Sequence, residues 1–255
     1  MFDPEKIKKT LAAIAEADLT RPEEVRDNAL MLENLLLDKK IAPSGESEIM
    51  TYLTKNGLLK KLNSLYEKFE TDLEIDHAKE ILGNNLDYRQ YLMYKRFFVL
   101  IKKEIKLAKI EKQSKVLFIG SGPFPITAIL LNSLKGCAVD CYEKNREYAA
   151  LSVKVISQLG LADKIRIKNR NGKFLSDDNY SVIIVALLAR PKDQILKEIS
   201  EKISSHTGII CRTSDNLRQA FYEPTNPDCL TLCKIMGKNY AKGEQTISSV
   251  LLKKA

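Results

Sequence analysis

At 255 residues the chain is long enough for one large domain or two smaller ones, and its 44% hydrophobic content supports a buried core, which excludes a disordered or fibrous chain. The net charge of +8 comes from basic residues mixed with acidic ones throughout. No basic block is interleaved with aromatics, so a solvated lysine-rich surface accounts for the charge and nucleic acid is not expected as a partner.

The longest apolar run, Val182 to Ala189, suits a buried strand and not a membrane span. The start, Met1-Phe2-Asp3-Pro4-Glu5, lacks the basic-then-apolar pattern of a secretory signal, so a cytoplasmic location is expected and no membrane partner is. Cys137, Cys141, Cys211, Cys229 and Cys233 form no CxxC pair, and His77 and His206 are the only histidines. That set reads as reduced thiols, with no metal site expected.

In chain order, residues 1–112 read as an N-terminal helical bundle domain. Leu11, Ile14, Leu30, Leu32, Leu35, Leu36 and Leu37 lie in segments rich in Glu, Lys and Ala. Pro4 and Pro22 mark helix starts, where a missing N–H costs nothing. Ala42-Pro43-Ser44-Gly45 reads as a turn, Gly83-Asn84-Asn85 as a helix end, and about Asp87 to Lys112 as one long helix. Residues 113–255 change period. Short strands at Val116–Ile119, Ala138–Tyr142, Ile165–Lys168, Ser181–Ala186 and Gly208–Arg212 alternate with helices at about Pro125–Leu134, Arg146–Gln158 and Lys192–Ile203, and a last strand runs from about Ser248 to Lys253. Alternation of this kind implies a parallel sheet with helices on both faces, a Rossmann-like α/β domain.

The first strand of this half ends in Gly120-Ser121-Gly122-Pro123-Phe124-Pro125 and leads into a helix. Glycines at such a turn let backbone N–H groups approach a nucleotide-bearing ligand, and the helix points its N-terminus at it. Glu143, at the end of the second strand, stands where a carboxylate binds ribose hydroxyls; a helix N-cap or a solvated carboxylate is its alternative. Asn171, after the third strand, can accept from an adenine amino group through its amide oxygen, or lie in a plain turn. NAD is the competing cofactor. Phe124 occupies the place of the next glycine of GxGxG, the turn lacks the final glycine of the dinucleotide fingerprint, and the preceding all-helical half favours S-adenosylmethionine and a methyltransferase-type fold.

These residues resemble the nicotianamine synthases. Gly120 to Thr127 is similar to their turn of Gly-x-Gly-Pro, an aliphatic residue, Pro, an aliphatic residue and Thr. Val185 to Lys192, including Leu187, resembles the family's fourth strand and its exit. Arg212-Thr213, Leu217-Arg218 and Phe221 to Pro224 resemble its Arg-Thr…Arg…Tyr-x-Pro stretch, and Leu73-Glu74-Ile75, Ala78 and Tyr94 to Phe97 resemble two helical pieces. The resemblance runs from about residue 70 to the end. It implies transfer of the 3-amino-3-carboxypropyl group of S-adenosylmethionine, as co-substrate, to the amine of a small amino-acid acceptor. Methylthioadenosine leaves, and the product is a metal-chelating metallophore.

The resemblance also assigns roles. Gly120, Ser121, Gly122, Pro123, Glu143, Asn171 and Leu187 would hold the co-substrate. Glu74 aligns with the family's catalytic glutamate, and an amino acid's protonated amine must lose a proton before it attacks. Phe97 stands where archaeal members carry a tyrosine whose hydroxyl assists the amine. Tyr94, one helical turn away, is the candidate to supply a hydroxyl instead. Phe97, Arg212 and Tyr222 would line the acceptor side, with Arg212 binding carboxylates in a fork. The chemistry requires no metal. Two other functions remain open in the sequence: a methyltransferase acting on a small molecule or RNA, and a cofactor-sensing module without catalysis. A homodimer is one open arrangement; the sequence does not fix the oligomeric state, the acceptor or the number of transfers.

Overall fold

The structure, a computed structural model, describes residues 4–37, 41–84, 86–170 and 179–254. The chain divides into two compact units. The first comprises residues Met1–Asp72, Thr213–Pro224 and Tyr240–Ser248. It holds helices α1 (Pro4–Ile14), α2 (Pro22–Leu36) and α3 (Pro43–Lys55) and the start of α4 (Leu58–Asn84). Proline opens α1, α2 and α3, where its fixed φ suits the first helical turn. The turn expected at Ala42 to Gly45 is therefore the start of α3, with extended Ala42 as its N-cap.

Leu11, Leu32, Ile49, Leu53 and Leu62 are sealed in the core of this unit. Tyr66 of α4 meets Phe221 and Tyr222 edge-on, with ring centroids 4.8 and 5.2 Å apart. Arg218 donates to the carbonyls of Gln245 (2.6 Å) and Gly243 (3.0 Å), which fastens the segment 240–248.

The second unit comprises residues Leu73–Arg212, Thr225–Asn239 and Ser249–Ala255. Its seven-stranded sheet has the order β3-β2-β1-β4-β5-β7-β6. The strands are β1 (Lys115–Ile119), β2 (Ala138–Glu143), β3 (Ile165–Asn169), β4 (Val182–Val185), β5 (Gly208–Thr213), β6 (Cys233–Asn239) and β7 (Ser248–Lys254). Strands β1 to β5 pair in parallel, and β6 runs antiparallel to β7. Helices α6 (Ile126–Lys135), α7 (Arg146–Gln158) and α8 (Lys192–Lys202) make the crossovers, so the Rossmann-like α/β expectation holds.

Several elements differ from the sequence reading. The long helix expected from Asp87 is a 3-10 turn at Tyr88–Gln90 followed by α5 (Tyr94–Ala108). Asp87 and Gln90 form a capping box there, which closes a short turn and forces a second start at Tyr94. The short helix α9 (Pro227–Leu230) and strand β6 had no counterpart among the expected elements. Strand β6 is a largely exposed edge with Lys234, Gly237 and Lys238 and a bulge between Ile235 and Gly237, so its apolar alternation is weak. Among the described residues, no helix is long and apolar enough to cross a membrane.

Candidate active site

The turn after β1 is built from two glycines in the left-handed region, Gly120 at φ +82° and Gly122 at φ +69°. Each is required by a different neighbour. A Cβ on Gly120 would stand 3.0 Å from the Cβ of Ala189 and 3.2 Å from that of Ala186, at the exit of β4. A Cβ on Gly122 would collide with the Glu74 carboxylate, whose Cδ lies 3.4 Å from that point. The second glycine thus makes room for an acid from α4. The Gly120 N–H donates to the Tyr142 carbonyl (2.8 Å), and the Gly122 N–H donates to Glu143 Oε2 (2.9 Å). These N–H groups are spent within the protein and do not face outward as the sequence suggested.

Glu143, at the end of β2, is buried and accepts a second bond at Oε1 from the Asn145 N–H (2.8 Å). The sealed Ser152 hydroxyl of α7 reaches the carbonyls of Gly122 (2.9 Å) and Pro123 (3.2 Å), so the turn is tied on both sides. The Ser121 hydroxyl is buried with no hydrogen-bond partner among the described residues. A buried polar atom left unmatched marks a place that a ligand can complete.

Phe124 fills the place of the next glycine of GxGxG with a fully buried ring. It meets His77 (4.9 Å) and Tyr91 (5.1 Å) edge-on, and Tyr91 lies 6.4 Å from Phe97. Tyr94 belongs to a separate group, stacked on Phe98 at 5.8 Å and 6.1 Å from Tyr88. Phe97 and Tyr94 therefore sit on one helix with rings in different clusters. Burial pushes the His77 imidazole below its ordinary value, against the pull of Glu80. His77 and Tyr91 were not singled out as site residues from sequence. The spacing of His77 three residues after Glu74, on one helical face, was the available signal.

Arg212, at the end of β5, is sealed from solvent. Its Nε and Nη2 each donate to a Glu104 carboxylate oxygen at 2.9 Å, and Nη2 also donates to Thr127 Oγ1 at 3.0 Å. The fork expected to bind substrate carboxylates is thus closed on Glu104 of α5. Lys192 donates to the Leu187 and Arg212 carbonyls, at 2.9 Å each, and fixes the exit of β4 to the end of β5. Tyr222 belongs to the first unit, packed on Tyr66. Asn171 lies outside the described residues. Among the described residues, no group of three or more His, Cys, Asp or Glu side chains is arranged to hold a metal ion.

A glycine turn at the carboxyl end of β1, with acids supplied by α4 and β2, defines a Rossmann-like protein of the class that binds nucleotide-bearing ligands at strand ends. Within that class, the model of the nicotianamine synthase protein family matches residues 6–255, and the chain belongs to that family. An L-histidine 2-aminobutanoyltransferase of Yersinia pestis is 31% identical over 124 residues, which is 49% of this chain and 46% of that protein. The match spans about half the length of the curated relatives. A glutamate-to-glutamine variant of MtNAS in complex with S-adenosylmethionine is 27% identical, with a TM-score of 0.87 over 99% of this chain and 98% of that one. MtNAS in complex with MTA and tNA is likewise 27% identical, with a TM-score of 0.89 over 98% and 97%.

Proposed function

We propose that the chain transfers the 3-amino-3-carboxypropyl group of S-adenosylmethionine to the amine of an amino-acid acceptor. Methylthioadenosine is released, and the product is a metal-chelating metallophore. The observation that carries this reading is the Glu74 carboxylate seated on Gly122 of the turn, in a member of this family. A solved relative holding S-adenosylmethionine and another holding MTA and tNA support it.

In this reading Gly120 to Pro123 and Leu187 carry the co-substrate, with Asn171 towards the adenine. The buried Ser121 hydroxyl is completed by it. Glu143 keeps acceptor capacity for ribose hydroxyls, since a carboxylate offers about four lone-pair sites and two are in use. The acceptor nitrogen forms a bond to the γ-carbon of the methionine chain as the bond from that carbon to sulfur breaks. The electron pair stays on sulfur, and the sulfonium becomes a neutral thioether. Glu74 takes the proton that the amine must lose. Attack in line with the breaking bond selects this carbon over the methyl. No step calls for a metal. Phe97 presents an apolar surface on the acceptor side, and Tyr94, on the same helix but in a separate ring cluster, is the proposed source of a hydroxyl.

Product mass decides between this reaction and methyl transfer. The purified chain is given S-adenosylmethionine with L-histidine, after the name of the curated relatives, and separately with glutamate. Methylthioadenosine and a mass gain of one aminobutyrate unit are expected; S-adenosylhomocysteine would overturn the reading. Glu74→Gln is expected to lower turnover by about 10²–10⁴-fold, the usual share of a general base, with co-substrate affinity retained. Undiminished turnover in that variant would remove Glu74 from the mechanism.

A further inference from the structure

Arg212 touches the chain on both sides of the glycine turn. Its guanidinium lies over the ring of Phe118, 5.4 Å away in β1, two residues before Gly120. Its Nη2 donates to the Thr127 hydroxyl, two residues after Pro125 and on the first turn of α6. That helix has Pro125 as its N-cap, and no side chain caps it. Its start is held by backbone bonds, from the Ile126 N–H to the Phe124 carbonyl (2.7 Å) and from the Ile129 N–H to the Pro125 carbonyl (3.1 Å). The Arg212–Thr127 contact adds a side-chain tie to that first turn.

Glu104 holds the guanidinium in turn. It is fully buried, accepts from Nε and Nη2, and accepts from Ser249 Oγ at 2.7 Å. Burial of such a pair is costly, and removing either partner strands the other charge. The arrangement is rigid for that reason: Arg212 cannot swing towards a ligand without leaving Glu104 unpaired.

We propose that Arg212 is a positioning residue for the co-substrate turn, acting through Thr127 and Phe118 and locked by Glu104, and that it is not a carboxylate-binding contact. The proposal rests on the reading of the turn as the S-adenosylmethionine site. It also accounts for the threonine that closes the glycine-turn motif, since that side chain receives the strut from a residue 85 positions later.

Thr127→Val removes the hydroxyl at nearly constant shape, and Thr127→Ser keeps it. Both are compared with wild type by calorimetric titration of S-adenosylmethionine, by steady-state kinetics and by melting temperature. For Thr127→Val, the dissociation constant and KM for S-adenosylmethionine should rise about tenfold, the size of one hydrogen bond to a charged donor. The KM for the acceptor and kcat should stay within about twofold, and Thr127→Ser should behave as wild type. Unchanged affinity for S-adenosylmethionine in Thr127→Val, or a shift confined to the acceptor KM, overturns the proposal. So does a Thr127→Ser variant as impaired as Thr127→Val. A wild-type chain that binds S-adenosylmethionine without releasing methylthioadenosine would count against the transferase reading alone, because the calorimetric comparison still reads the strut. A wild-type chain that does not bind S-adenosylmethionine overturns both.

Discussion

Gly122 carries two constraints that separate experimentally. Its φ of +69° penalises any Cβ, and the space that a Cβ would need is held by Glu74. Gly243 has a similar φ of +57° but nothing within 4 Å of its would-be Cβ. Alanine at either position bears the left-handed strain, roughly 1–2 kcal/mol. Only Gly122→Ala also displaces the acid. Both variants should therefore melt a few degrees below wild type, while methylthioadenosine release falls at least about tenfold in Gly122→Ala alone. Equal turnover in the two would mean that the position of Glu74 does not matter. The sequence shows that both turn residues tolerate positive φ. It cannot show what fills the space beside them, because Glu74 and Gly122 meet through the tertiary fold. The resemblance supplied Glu74 as a candidate, and the geometry supplied the reason for a glycine opposite it.

Among the elements, those with a strong period were legible. Strands β1 to β5 lie within a residue of their expected bounds; the central β1, β4 and β5 read as near-continuous apolar runs, and the edge strand β3 alternates Ile165 and Ile167 with polar residues. Helix α7 runs from Arg146 to Gln158 as expected, with Asn145 capping it through bonds to the Glu147 and Tyr148 N–H groups. Strand β6 escaped because an exposed edge need not alternate. The Glu104–Arg212 junction escaped for a different reason. Glu104 lies in a lysine-rich stretch and reads as a solvated acid, and it is buried where α5 meets Arg212 of β5 and Ser249 of β7. This contrast has a measurable consequence. Glu104→Ala should cost about 3–5 kcal/mol in urea unfolding, because Arg212 is left charged and buried. Lys202→Ala, which breaks a partly exposed i,i+4 pair with Glu198 on α8, should cost no more than about 0.5 kcal/mol. Similar losses at the two sites would show that Arg212 finds another partner.

At the scale of the whole chain, pairwise identity and fold carry likeness over different spans. Identity to the curated relatives covers about half of this chain, whereas the match to MtNAS covers 98–99% of it. A fold tolerates substitution wherever volume and pattern are kept, so it persists where pairwise identity has faded. The remaining rival at this scale is a dinucleotide site on the same sheet, and ligand linkage tests it. A ligand that binds only the folded state stabilises it by about 2.7 kcal/mol at a hundred times its dissociation constant. For a chain of this size that corresponds to a rise of roughly 5–10 °C in melting temperature. S-adenosylmethionine should produce such a rise, and NAD at the same concentration should produce none. The physical ground is the turn itself: a dinucleotide fingerprint places its third glycine, which allows close helix–strand packing, at the position held by Pro125, and the buried ring of Phe124 beside it is wedged against His77 and Tyr91. A rise with NAD would mean that the turn accepts a dinucleotide without that glycine and is less specialised than its packing implies.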